Sequence, residues 1–323
     1  MKNVDNKGKT FPKSQSNDTQ QHNMTRLLKR IKRHWQLYLI ILLPLVYLIL
    51  FCYVPLWGSQ IAFRNFTFKG GITGSEWVGL AHFEKFFASP QFVRLLKNTL
   101  GLSFYNIAVG IFPPIILAVA LNYAQKRFFK KTVQIITYMP YFISTVLIVG
   151  ILSQFLSMDG IINKIIERFG GEKVLFLGSP AWFKSLYVLS GVWQGTGYGA
   201  VVYIAALANV PPEHHEAAIV DGASIWQRIR YVDVPSIIPI AVMLLIMNCG
   251  KVLSIGYEKV LLMQNQMNMQ TSDIISTYTY RIGLQSMQFS YSTAIGLFQS
   301  VVSLIMLLVV NRIAKRLGET SLW

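Results

Sequence analysis

Residues 37–57 read LYLIILLPLVYLILFCYVPLW, an apolar run of 21 residues without a charge. A helix rising ~1.5 Å per residue needs ~20 such residues to cross ~30 Å of hydrocarbon. Five further runs have the same character, at 99–124, 133–158, 186–208, 236–257 and 293–311, and Lys251 is the only charged residue in all six. Lipid offers the backbone no hydrogen bonds, so each run is expected to be a helix. The chain therefore reads as an all-α integral membrane protein, a six-span helical bundle. Composition agrees: 53% of the 323 residues are hydrophobic and 14% charged, against about 25% charged in an ordinary soluble domain. Pro44, Pro113, Pro114, Pro140 and Pro239 fall inside the runs and are expected to kink spans without breaking them.

The net charge of +16 would suggest a nucleic-acid partner on a soluble protein. Its placement points to membrane lipid instead and argues against nucleic acid. Segments 26–35, 124–132, 209–235 and 312–323 hold 14 basic residues in 58 positions, among them Lys126, Arg127, Arg228, Arg230 and Lys315, whereas 58–97, 159–184 and 258–292 hold 11 in 101. The denser side is cytoplasmic by the positive-inside rule, which puts both termini inside. Residues 1–34 form a basic cytoplasmic tail, expected to be disordered for lack of large apolar groups; 35–323 form the six-span domain. Cys52 and Cys249 lie within runs and read as packing residues.

The spans contain no Asp, Glu or His, so nothing in them can accept a coupling proton. A P-loop is absent as well, because Gly250-Lys251 is followed by Val252. If the chain moves a solute uphill, another subunit must supply the energy.

The loop 209–235, with the first residues of the next run, reads NVPPEHHEAAIVDGASIWQRIRYVDVPSIIP. Asn209 can cap a helix opened by Pro211 and Pro212, with Glu213 and Glu216 at its positive end. Gly222 can take the left-handed conformation that ends it. Ser224 and Gln227 then have capping-box spacing for a second short helix carrying Ile225, Ile229 and Val232 on one face. A helical hairpin of this kind is suited to docking on a cytoplasmic partner.

The pattern Glu216-Ala217-Ala218, then Asp221-Gly222-Ala223, then Val232-x-Val234-Pro235 resembles the EAA loop of type I ABC-importer permeases, with Val where Ile and Leu are usual. The wording VDGASIWQRIRYVDVP, and the stretches GYEKVLLMQN (256–265) and SDIISTYTYRIGL (272–284), are similar to the oligosaccharide permeases of the lipoprotein-B type. The resemblance covers roughly 35–323. It implies that the loop is a coupling helix seated on an ATP-hydrolysing subunit, with Glu216, Ala217, Ala218, Asp221, Gly222, Ala223 and Pro235 shaping it. It also implies a heterodimer with a second permease, two ATP-binding subunits, an extracytoplasmic solute-binding protein on the outer loops, and a bacterial plasma membrane. This chain itself then binds no cofactor; ATP and Mg belong to the partner subunits.

A sugar site needs aromatic platforms and amide or hydroxyl partners in a largely apolar pocket. Tyr138 and Tyr141 on the third span, Gln194 and Tyr198 on the fourth, and Asn248 and Lys251 on the fifth supply these groups. Gln194 and Tyr198 are four apart and share a helix face. Resemblance to maltose-type permeases places Tyr141, Gln194 and Tyr198 at sugar-facing positions, while the fifth-span equivalents, near Lys251, Val252 and Ile255, are partly apolar. Membrane tyrosines and glutamines also serve as packing and interhelical bonding residues, and Lys251 could snorkel to the interface. Two other functions stay open at this point. One is a permease for a peptide or amino acid, and the other is a membrane-embedded enzyme. For the latter His214-His215-Glu216 is the only local candidate, and adjacent histidines point to different sides of a helix.

Overall fold

The computed structural model describes residues 33–316. The tail expected at 1–34 falls outside them apart from Arg33 and His34, as does the end of the chain from 317. The described residues form two units, one ending at Gln60 and one beginning at Ile61. In the first, helix α1 (Trp35–Leu48) contains Pro44 and runs into a π-turn, Ile49–Tyr53, and a further helical turn, Val54–Gly58. Pro55 has no N–H to donate. The widened turn before it lets Val54 N–H reach Ile49 O instead.

The second unit contains helices α2 (Phe92–Gly110), α3 (Phe112–Tyr123), α4 (Arg127–Tyr138), α5 (Thr145–Phe155), α6 (Pro180–Ala208), α7 (Pro212–Val220), α8 (Val234–Cys249), α9 (Tyr257–Met263) and α10 (Phe289–Arg316). Among the described residues four helical stretches are long and apolar enough to span a membrane: Trp35–Phe63, Phe92–Tyr123, Ile225–Cys249 and Phe289–Arg316. A fifth is divided, since α4 with its following turn and α5 meet at 98°. The expected fourth span lies in α6, whose 29 residues are ample in length. Its Gln194, Thr196 and the glycines at 191, 195, 197 and 199 dilute the apolar character.

Three expectations are corrected. The third run is broken, not kinked: after α4 comes a 3-10 turn, Met139–Phe142, and Ser144 caps α5 by accepting from Leu147 N. Pro140 is accommodated better within a tight turn than in a helix interior. The fifth span begins earlier and ends earlier than the run 236–257. Ile225–Cys249 is one continuous helix, and 250–256 turns irregularly before α9. The second arm of the hairpin is thus the start of a span rather than a separate helix, and Lys251 sits exposed in a turn rather than on a membrane helix.

Irregular backbone at this position is tolerable only where protein satisfies it. Ser103 Oγ donates to Val252 O at 2.5 Å and Gln299 Nε2 to Leu253 O at 2.8 Å. Helix α2 presents Leu95, Asn98, Thr99, Leu102 and Ser103 along one buried face at helical spacing. Other polar members of that face hold the segment that follows. Thr99 Oγ1 accepts from Ile275 N, and Asn98 Nδ2 donates to the carbonyls of Gln270 and Asp273. The segment 257–292 is further pinned by the buried Asp273 carboxylate, 2.9 Å from Arg281 Nη2 and 3.6 Å from Arg94 Nη2. A buried carboxylate so paired avoids an uncompensated charge.

Candidate functional site

Helix α7 and the turn after it carry the coupling pattern. Asn209 does not cap α7; it closes α6, and Pro211 stands at the α7 N-cap with no side-chain bond. At the other end the expected turn is present. Gly222 has φ +76°, Gly222 N–H donates to Ile219 O, and Ala223 N–H donates to Ala218 O at 2.8 Å. These two bonds are the Schellman pair that closes a helix on a left-handed residue. Ser224 and Gln227 then form the expected capping box, with Ser224 N–H donating to Gln227 Oε1 at 2.7 Å and Gln227 N–H to Ser224 Oγ. A second π-turn, Ile229–Asp233, precedes Pro235, as the one in the first span precedes Pro55.

The tip of this hairpin is apolar and solvent-facing: Val220 is 87% and Trp226 80% exposed, and Ile219, Ile225 and Tyr231 are exposed with them. Glu216, Ala217 and Asp221 are exposed beside them, while Ala218 and Ala223 are half-buried. Large apolar side chains gathered on a polar segment mark a surface for another protein.

Sequence reading missed what holds α7 to the spans. Asp233, fully buried on the π-turn, accepts from Tyr123 Oη at 2.7 Å, and its other oxygen lies 3.4 Å from His215 Nε2. The Arg228 guanidinium covers the Tyr123 ring at 5.6 Å. One carboxylate therefore joins α7, the end of α3 and the start of the fifth span. His215 thus has Asp233 as its partner.

Of the expected pathway residues, three come together. The rings of Tyr141 and Tyr198 stack at 4.0 Å with 6° between planes, and both are exposed. One turn away Gln194 Nε2 donates to Ile143 O at 3.0 Å, fastening the broken span to α6. Tyr138 ends α4 nearby, half-buried. Gly197 permits this approach, since a Cβ there would collide with the Thr137 carbonyl and lie 2.8 Å from Tyr138 N. Asn248 belongs elsewhere, and Lys251 joins neither group.

Asn248 lines a cavity of about 360 Å³ between α2, α3, α6 and α8. Gly191, Gly195 and Gly199 form one wall at four-residue spacing, and Asn106, Thr196 and Tyr203 contribute polar atoms. The glycines of α6 thus divide: Gly197 admits a neighbouring backbone, Gly199 lies close against the Pro114 ring, Gly191 borders Lys259 Nζ and Asn106 Oδ1, and Gly195 alone of the four has nothing within 4 Å of its Cβ position.

Spans enclosing a cavity, with a docking hairpin exposed between two of them, are the architecture of a transport permease. The family described as binding-protein-dependent transport system inner membrane component matches residues 107–319, and the chain belongs to it. It is 43% identical to the polygalacturonan/rhamnogalacturonan transport system permease protein YteP of Bacillus subtilis (strain 168), over 92% of this chain and 93% of that one. It is 40% identical to Protein LplB of the same organism, over 91% of this chain and 92% of that one. Among solved structures, a chain of a bacterial alginate ABC transporter, in complex with an alginate pentasaccharide-bound periplasmic protein, matches with a TM-score of 0.84 at 37% identity, covering 92% of this chain and 100% of that chain. The resemblance to sugar-importing permeases and the type I permease fold are borne out, and the chain is a transport subunit rather than an enzyme.

Proposed function

We propose that this chain is one permease half of an ATP-driven importer that carries an oligosaccharide across a bacterial plasma membrane, with both termini in the cytoplasm. The observation that carries the reading is the hairpin at 212–235. Its helix, left-handed turn and exposed apolar tip follow the pattern that suggests coupling. ATP and Mg are bound by two partner subunits, one of which receives α7; a second permease completes the pathway, and an extracytoplasmic binding protein delivers the sugar to the outer loops. Closure of the ATP-binding pair pushes α7, and Asp233 passes that movement to the ends of α3 and α8. The relatives named for polygalacturonan and alginate support the carbohydrate class over a peptide or amino acid.

Along the pathway, Tyr141 and Tyr198 form a paired aromatic surface for sugar C–H faces, Gln194 and Tyr138 stand beside it, and Asn248 offers an amide in the cavity. Lys251, exposed in its turn, is assigned to the outer mouth of the pathway. Truncating either ring to alanine removes half of the paired aromatic surface offered to the sugar, and a ring-to-sugar stacking contact of the size of an aromatic pair is worth ~0.5–1.5 kcal/mol. The half-saturating sugar concentration of the reconstituted importer should rise about two- to tenfold in Tyr141→Ala and Tyr198→Ala. Unchanged concentration dependence in both would make the rings packing residues.

A further inference from the structure

Lys259 is the one lysine among the described residues that is almost wholly buried, at 8% exposure, and no carboxylate among those residues pairs with it. Its ammonium donates to Tyr187 O at 3.0 Å and lies 4.9 Å from the centre of the Tyr187 ring. An ammonium has three protons to donate. A neutral carbonyl and a π face leave a buried cation without a counter-charge, which is costly unless something supplies one. Burial pushes the Lys259 ammonium down to about 8.

The direction in which this charge looks is set by a missing side chain. A Cβ on Gly191 would stand 3.5 Å from Lys259 Nζ and 3.9 Å from Asn106 Oδ1. Gly191 is therefore bordered by an ammonium and an amide oxygen; Gly191 and Asn106 both line the cavity that also holds Thr196 and Asn248, and Lys259 reaches its edge across Gly191 without itself belonging to the lining. We propose that Lys259 is the specificity residue by which this permease recognises the carboxylate of an acidic oligosaccharide, a uronate, in the cavity beside Gly191. The carboxylate supplies the counter-charge that the fold withholds, and Asn106, Thr196 and Asn248 are available to the sugar hydroxyls. Lys251, exposed to solvent, cannot discriminate in this way, because a hydrated ammonium gains little from one more anion.

This inference rests on the oligosaccharide-import reading and deepens it. The test uses the complete importer in proteoliposomes, loaded with a panel of uronate trisaccharides and with their neutral hexose counterparts, and reads the ratio of acidic to neutral uptake. Lys259→Met should lower that ratio at least tenfold, and Lys259→Arg should restore most of it. A purely structural role would lower both uptakes together and leave the ratio alone. Gly191→Asp provides a second arm, because its Cβ fits at ordinary contact distance and its carboxylate would occupy the ammonium from within; it too should lower the ratio. A ratio unchanged in Lys259→Met or in Gly191→Asp overturns the proposal. So does a parental importer that carries only the neutral sugars, although import of carbohydrate then stands; a parental importer that carries neither class overturns both.

Discussion

Gly222→Val should abolish sugar uptake and transport-stimulated ATP hydrolysis while the protein still inserts in the membrane. The cause is conformational. Gly222 has φ +76°, and a Cβ there would meet nothing within 4 Å, so no neighbour objects to the added methyls. What objects is the backbone: a left-handed conformation costs an ordinary L-residue ~1–2 kcal/mol, and a β-branched residue is a genuine outlier there. Valine would drive the turn to negative φ, lose the two Schellman bonds from Gly222 and Ala223, and re-aim Val220 and Trp226. Because Gly222 itself lies outside the apolar spans, insertion should persist. Asparagine, which tolerates φ > 0, should retain most activity. Equal loss of uptake in Gly222→Val and Gly222→Asn would mean that the glycine serves close contact with a partner rather than the turn; normal uptake in Gly222→Val would mean that the turn does not set the docking surface.

Gly197→Ala should lower the thermal stability of the purified chain more than alanine at any glycine facing the cavity. The obstacle here is steric and made of backbone. The new Cβ would overlap the carbonyl carbon and oxygen of Thr137 and lie 2.8 Å from Tyr138 N. No side chain can rotate away, so α4 must move off α6. Overpacking of this kind costs ~1–3 kcal/mol and sometimes more, and it would carry Tyr141 away from Tyr198 and Ile143 O away from Gln194. Gly195→Ala, with nothing within 4 Å of its Cβ, is the control and should melt like the parent. Melting of purified Gly197→Ala and Gly195→Ala at the same temperature would contradict the contact.

These two glycines show why some of the molecule is legible from sequence and some is not. Gly222 announces itself because the rule for ending a helix is local, and a few residues on either side suffice to apply it. Gly197 reads only as one of several small residues. Whether a glycine admits a backbone or borders a cavity depends on which neighbour faces it, and Thr137 lies far earlier in the chain, on another helix. The spans are legible as apolar runs, yet hydropathy reports burial from water rather than helix, so it runs on through 250–257, where Ser103 and Gln299 serve an irregular backbone. It also passes over the break after Pro140, which Gln194 and Gly197 secure from another helix. Asp233, Tyr123 and Lys259 escape for the same reason. Tyr123 lies 110 residues from Asp233, and Tyr187 lies 72 from Lys259. Nothing in the local pattern distinguishes an unpaired buried lysine from a surface one. Tyr141 and Tyr198 are within reach because family resemblance, not spacing, ties the third span to the fourth.

The most direct test concerns where α7 points and what it touches. With Cys52 and Cys249 replaced, single cysteines are placed at Val220 and at Phe68, two side chains 87% and 78% exposed. In intact cells a membrane-impermeant maleimide should label the cysteine at 68 and leave the one at 220 untouched. In the assembled complex the cysteine at 220 should cross-link to the ATP-binding subunit. Labelling of 220 from outside intact cells, or cross-linking of 220 to the extracytoplasmic binding protein in place of the ATP-binding subunit, would contradict the assignment of this hairpin as the point where ATP hydrolysis drives the permease.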